Sequence, residues 1–154
     1  MLTTRDIAQI AALAALTAAL GLIPAITVPI AGGVPITAQS LGPMLAGAVL
    51  GARKGGLAIV LFLVLLAIGL PLLPGGRGGL GVFQGPSAGF LLSWPIAAFI
   101  IGLGIERLWS RLNAVNAFLV IVAGGVGLVY LIGIPWVSMR TGAPLLAVAG
   151  GSAL

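Results

Sequence analysis

The segment Pro74-Gly75-Gly76-Arg77-Gly78-Gly79-Leu80-Gly81 sets one arginine among five glycines. A guanidinium is permanently charged, and its planar fork of N–H donors matches a carboxylate. The glycines leave the backbone free to take positive φ and fold over a ligand. An arginine at a membrane surface also snorkels towards lipid headgroups, so both uses are open to Arg77. The loop is not a phosphate cradle, because no Gly-Lys-Ser/Thr follows it. A second polar set lies in Val34-Pro35-Ile36-Thr37-Ala38-Gln39-Ser40-Leu41-Gly42. Thr37 and Ser40 suit helix capping. The amide of Gln39, within an apolar run, is stable when buried only if its hydrogen bonds are met.

Catalysis finds little footing. The chain has no histidine or cysteine, and its only carboxylates are Asp6 and Glu106. Thiol chemistry, disulfides and the usual zinc or haem sites are excluded, no metal or cofactor is expected, and no acid or base stands near the polar loops. No nucleotide-binding site is present, so an ATP-driven step requires another subunit. The net charge of +5 comes from dispersed residues without interleaved aromatics, which argues against nucleic acid as a partner.

The elements that position these loops are set by hydropathy. Hydrophobic residues make up 60% of the 154, and the nine charges (Arg5, Asp6, Arg53, Lys54, Arg77, Glu106, Arg107, Arg111 and Arg140) fall between long apolar runs. A charge at the bilayer centre costs about 2.5–3.5 kcal/mol, so these positions mark where the chain leaves the hydrocarbon. The reading is one all-α, polytopic membrane domain over residues 1–154 in a lipid bilayer. The predicted spans are Ile7–Ile23, Thr37–Ala52, Leu57–Leu70, Ala88–Ile105, Ala114–Ile134 and, beginning at Gly142, an incomplete sixth. From Gly142 to Leu154 a helix reaches only about 20 Å, short of the ~30 Å hydrocarbon core. The first run is expected to be a retained span rather than a signal peptide, since more apolar segments follow it.

Basic residues set the orientation. With the N-terminus cytoplasmic, Arg5, Arg53, Lys54, Arg107 and Arg111 lie inside and only Arg77 and Arg140 outside, as the positive-inside rule requires. The outer connections, Ala25–Ile36 and Pro71–Pro86, are long and rich in Gly and Pro. Irregular backbone near membrane depth is tolerated where it is buried in protein or lines a cavity, so an outward-facing cavity is one reading and ordinary surface loops the other. Ala11, Ala15 and Ala19 repeat every four residues, a smooth stripe for helix packing within the molecule or with a partner. Gly47 and Gly51 form a similar pair for internal packing.

The segments VPITAQSLGPMLAGAVLG and GLPLLPGGRGGLGVFQGPSAGFLLSWPIAA, with the alanine-striped first helix, resemble the BioY family, biotin-specific substrate-binding (S) components of energy-coupling-factor (ECF) transporters. The resemblance covers about residues 5–110 and continues more weakly through the fifth span. It implies a six-helix membrane protein of the plasma (inner) membrane that binds biotin from outside. It also implies docking, through Ala11, Ala15 and Ala19, on a transmembrane coupling subunit driven by ATPase partners.

Arg77 then stands at the basic position of the glycine loop, as candidate for the biotin carboxylate. Thr37 and Gln39 fall in the V-P-I-T-x-Q segment beside the pocket. Ser87, Gly89 and Phe90 fall where the family has P-T-G-G-Y, with Ser for Thr, Ala88 for Gly and Phe for Tyr. The ureido ring is expected on Gln39 and backbone groups, and the apolar parts of biotin on Phe90, Tyr130 and Trp136. Tyr130 and Trp136 also suit an interfacial aromatic belt. Other members carry a later proline-glycine-aspartate-x-x-lysine motif, absent from the residues up to Leu154. Another vitamin, or a scaffold without ligand, are the rival readings.

Overall fold

The computed structural model describes residues 2–24, 26–27, 35–85 and 88–150. Helix α1 (Thr4–Leu20) starts at Thr4 rather than Ile7 because Thr3 and Asp6 form a capping box. The Thr3 hydroxyl accepts from the Asp6 N–H at 3.2 Å, and the Asp6 carboxylate accepts from the Thr3 N–H at 3.0 Å. The helix buries Ile10, Ala14 and Thr17 on one face, while Ala11, Ala15 and Ala19 stay exposed. An antiparallel ladder of two-residue strands, β1 (Ile26–Thr27) and β2 (Pro35–Ile36), pairs Ile26 with Ile36. Sequence reasoning expected no pairing in this connection; the rest of it lies outside the described residues.

A 3-10 turn, Ala38–Ser40, leads into α2 (Leu41–Ala67), which is not one rod. Residues nine apart in a straight helix are separated by about 13.5 Å. Yet a Cβ built on Gly55 would stand 2.6 Å from the carbonyl oxygen of Ala46. The chain therefore doubles back at Gly51, whose φ of 86° and ψ of −179° lie in a region that glycine alone adopts freely. Its arms, 41–50 and 52–67, correspond to the two predicted spans Thr37–Ala52 and Leu57–Leu70. The reversal sits at Gly51 itself, and Arg53, Lys54 and Gly55, expected in the turn, are helical.

Close approach of backbones holds the arms to α3 (Ala88–Arg107). A Cβ on Gly47 would strike the Ala98 carbonyl, and one on Gly102 would strike the backbone of Gly51 and Ala52. Without a hydrophobic drive between helices in lipid, such small-residue contacts and their dispersion energy are the main adhesive. Gly47 thus does the packing expected of the Gly47/Gly51 pair, and Gly51 makes the turn. Ala46, Ala58, Ile59, Phe62, Leu66, Ala97, Ala98 and Ile101 form the fully buried core.

After a 3-10 turn at Trp109–Arg111, a last long rod comprises α4 (Ala114–Val122), a π-helical stretch (Ala123–Leu128) and α5 (Val129–Thr141). Asn113 caps its start, accepting from the Asn116 N–H at 2.8 Å. The rod passes the expected end at Ile134 and stops where Gly142 turns left-handed, with φ of 73°. Gly142 therefore closes α5 rather than opening the next helix, α6 (Leu145–Gly150). Among the described residues three stretches, Ala38–Ala67, Ala88–Arg107 and Ala114–Thr141, are long and apolar enough to cross a membrane, and the first of these is the one folded at Gly51.

Both carboxylates and Lys54 gather at the Gly51 end. Lys54 Nζ lies 3.1 Å from Asp6 and donates to Gln9 Oε1 at 3.0 Å. Glu106, at the end of α3, accepts from the Ala52 N–H at 2.9 Å. That N–H is an otherwise orphaned donor at the start of the second arm, where the helix dipole favours a carboxylate. Asp6 lies ahead of the apolar run from Ile7. The Thr3 N–H, and then Lys54, hold its carboxyl below the ordinary value.

Candidate functional site

The opposite end of the bundle carries the polar loops. Here α1 ends, the first arm of α2 begins, the second arm finishes, and α3 starts. The glycine loop folds back tightly: Leu73 N–H donates to the Arg77 carbonyl and Gly76 N–H to the Leu73 carbonyl, each at 3.0 Å. Gly75 and Gly76, with φ of 83° and 74°, make this reversal possible. Gly79 N–H then donates to the Leu66 carbonyl at 2.8 Å, an acceptor in the last turn of α2 that also takes the Gly69 N–H at 3.2 Å. The loop is thereby pinned to the helix whose end it caps.

Between these elements lies a cavity of about 230 Å³. Its rim carries Thr37, Gln39, Ser40, Leu73, Pro74 and Arg77. Its walls are Phe90, Leu91, Trp94, Val126, Val129 and Tyr130, and Met44 and Gly125 lie further down the helices. An apolar chamber with a few convergent polar groups, at the small end of the usual range for ligand clefts, suits one small metabolite.

Gln39 is fully buried, and its amide is the best-anchored polar group of the site. Nε2 donates to the Thr17 carbonyl at 3.0 Å and to the Leu72 carbonyl at 2.8 Å. The first of these is an orphan acceptor in the last turn of α1, so Gln39 ties α1 and the second outer loop to the start of α2. Both amide hydrogens are spent on protein. Its Oε1 is buried without a hydrogen-bond partner among the described residues. The side chain therefore has an acceptor to offer and no donor, so it matches a ligand N–H.

Arg77 stands exposed at the rim. Its Nε donates to the Pro74 carbonyl at a long 3.4 Å. Both carboxylate side chains of the protein are engaged at the other end, Asp6 with Lys54 and Glu106 with Ala52. The guanidinium is thus left with a free face and no acidic side chain to neutralise it. Thr37 begins the 3-10 turn without capping through its hydroxyl, and the Ser40 hydroxyl donates to the Thr37 carbonyl at 2.8 Å. Neither side chain is the helix cap their sequence allowed.

The aromatic wall is built by α3 and α5. Phe90 rests on Gly133, where a Cβ would meet its ring, and stands edge-on to Tyr130 with ring centres 5.5 Å apart. Trp94 is backed by Phe62 at 6.1 Å.

Of the sequence-predicted residues, Thr37, Gln39, Arg77, Phe90 and Tyr130 come together around the cavity. Gly89 and Trp136 are not in its lining. Gly89 admits Trp136 against α3, where a Cβ would overlap the Trp136 side chain. Trp136 Nε1 donates to the Gly85 carbonyl at 3.1 Å, and the Arg140 guanidinium lies 5.1 Å from the centre of the Trp136 ring. Trp136 is a clamp between α5 and the loop. Ser87 lies outside the described residues.

Sequence reasoning missed Met44, Leu73, Trp94 and Gly125. Trp94 stands one helical turn beyond Phe90, at i+4, and that spacing was a usable signal. Met44 and Gly125 are separated by 81 positions and no local pattern links them.

The family model described as "BioY family" matches residues 1–153. The chain is 54% identical over 130 residues to the Biotin transporter BioY of Rhodobacter capsulatus, covering 84% of this chain and 67% of that protein. It is 46% identical to the Biotin transporter BioY of Rhizobium etli, covering 92% and 78%. The fold superposes, with a TM-score of 0.88 and 32% identity, on a crystal structure of the S-component for biotin from an ECF-type ABC transporter, covering 97% of this chain and 82% of the other. By sequence over almost its whole length and by fold, the chain belongs to the BioY family.

Proposed function

We propose that this chain is a biotin-binding component of the cell membrane that captures the vitamin from outside for energy-coupled import. The observation that carries the reading is an exposed guanidinium with no acidic side chain to meet it and a buried amide oxygen unpartnered among the described residues, both lining one apolar cavity. Biotin presents the complementary groups: a carboxylate for Arg77, ureido N–H donors for Gln39 Oε1, and an apolar thiophane ring and valeryl chain for Phe90, Trp94 and Tyr130. The same arrangement disfavours a cation, which would meet Arg77 with no acid nearby. The relatives named as biotin transporters and the S-component for biotin support the choice of ligand.

In this reading residues 1–154 form one membrane-embedded unit. It comprises α1, the two arms of α2, α3, the α4–α5 rod and the start of a sixth span, with the N-terminus cytoplasmic. The charge cluster around Gly51 then faces the cytoplasm, as the excess of basic residues there favours. The cavity opens outward. The exposed stripe Ala11, Ala15 and Ala19 is the docking face for a transmembrane coupling subunit, and ATP hydrolysis belongs to separate ATPase subunits. Docking through small residues suits a contact made within lipid.

Retention of radiolabelled biotin by the purified, detergent-solubilised protein tests the assignment. Saturable binding, displaced by unlabelled biotin and not by thiamine, is the expected result. Absence of retention by folded protein would overturn the biotin reading and leave another vitamin or a scaffold role.

A further inference from the structure

We propose that Met44 and Gly125 together form the floor that limits how far a ligand reaches into the cavity; this rests on the biotin reading above. Both line the cavity. Met44 follows Gln39 by five residues down the first arm, about 7.5 Å deeper than the rim. Gly125 lies on the facing rod, more than a turn below Tyr130. The two are in intimate contact. A Cβ on Gly125 would overlap the Met44 side chain at Cε, at Cγ (2.6 Å) and at Sδ (3.1 Å). The Met44 side chain therefore fills the space that a side chain at position 125 would take.

The backbone at this point is itself unusual. Gly124 and Gly125 sit inside the π-helical stretch Ala123–Leu128, a wider winding that often marks functional positions. The two glycines are used differently. A Cβ on Gly124 would enter Ile101 of α3, so this glycine seats the rod on its neighbour, whereas Gly125 gives room to a cavity side chain. Gly127, in the same stretch, faces open space with nothing within 4 Å of a Cβ. Any side chain at position 125 must displace Met44, a half-buried residue of the lining, and the cavity beside it is space into which its flexible end can move. A ligand held by its carboxylate at Arg77 would then lose depth. Met44 is flexible and unbranched, so it sets a soft limit that can be lengthened by truncation.

Isothermal titration of the purified full chain tests this with two probes, biotin and its homologue with one further methylene in the carboxylate chain. Gly125→Ala is expected to weaken biotin about ten- to hundredfold, as overpacking of a filled site does. Gly127→Ala, the control in the same π-helical stretch, is expected to bind as the parent does. Met44→Ala/Gly125→Ala should recover most of the loss, and Met44→Ala alone should shift preference towards the longer homologue. If Gly125→Ala folds and binds biotin unchanged, the floor is elsewhere. If that variant does not fold, an unaltered ratio of the two ligands in Met44→Ala overturns the proposal equally. Failure of the parent protein to bind biotin at all would instead overturn the functional reading, so the two failures are distinct.

Discussion

The two ends of the helical bundle treat polar groups in opposite ways. At the Gly51 end each carboxylate has a partner. Asp6 closes a capping box and meets Lys54, and Glu106 covers the N–H of Ala52. At the cavity end a guanidinium stands without an acidic side chain, and a buried amide oxygen is unpaired among the described residues. The first arrangement fastens helices together and is complete in itself. The second is incomplete. A buried polar group without a partner costs about 1–3 kcal/mol, a cost that a ligand donor would relieve. Self-satisfaction marks the structural end, and residual hydrogen-bonding capacity marks the end proposed to bind the ligand.

Variants at the two ends should therefore separate stability from binding, and Gln39 is the position where both meet. Gln39→Leu strands the carbonyls of Thr17 and Leu72 and removes the free acceptor. Its expected effect is a stability loss of about 2–4 kcal/mol together with loss of biotin binding, read by thermal unfolding and titration. Arg77→Ala should leave the melting temperature nearly unchanged. It removes a charge-assisted contact of about 1.5–3 kcal/mol and so weakens biotin about ten- to hundredfold. Equal affinity in the variant would erase the distinction drawn for that rim.

At the other end, Gly51→Ala forces a Cβ into a backbone region nearly closed to it and towards Glu106. A destabilisation of about 1–3 kcal/mol is expected, with biotin affinity in the folded fraction retained. The smallest effect belongs to Asp6→Asn, a slight drop in melting temperature at neutral pH with binding untouched. Because the Asp6 carboxyl titrates below its ordinary value in the folded chain, its stabilising contribution is present above about pH 4 and fades as the pH falls through the lowered value. The difference in melting temperature between parent and variant should shrink on acidification; a constant difference would assign the loss to something other than the charge.

Much of this architecture was legible in the residues. Charge spacing located the apolar runs, and the tight Arg53-Lys54 region marked the place where the chain reverses. Its hinge was misplaced because Gly51 acts through one dihedral pair, which composition does not report. Gln39 and Arg77 stood out in the sequence as an amide in an apolar run and a cation among glycines, and the structure places both on the cavity lining. Trp136, read as a ligand wall or an interfacial belt residue, lies outside the cavity lining, since aromatic character alone does not distinguish either from a clamp on Gly85. The contact of Met44 with Gly125 depends on how the first arm of α2 meets a π-helical winding, a property of packing rather than of either local sequence.

The role of Arg77 as the carboxylate receptor is tested most directly by a four-point titration: parent and Arg77→Ala, each with biotin and with biotinamide, whose carboxylate is replaced by a neutral amide. The parent protein should prefer biotin by about tenfold or more, the equivalent of one charge-assisted contact, and the variant should bind both ligands alike. A preference of the same size in parent and variant would contradict the account.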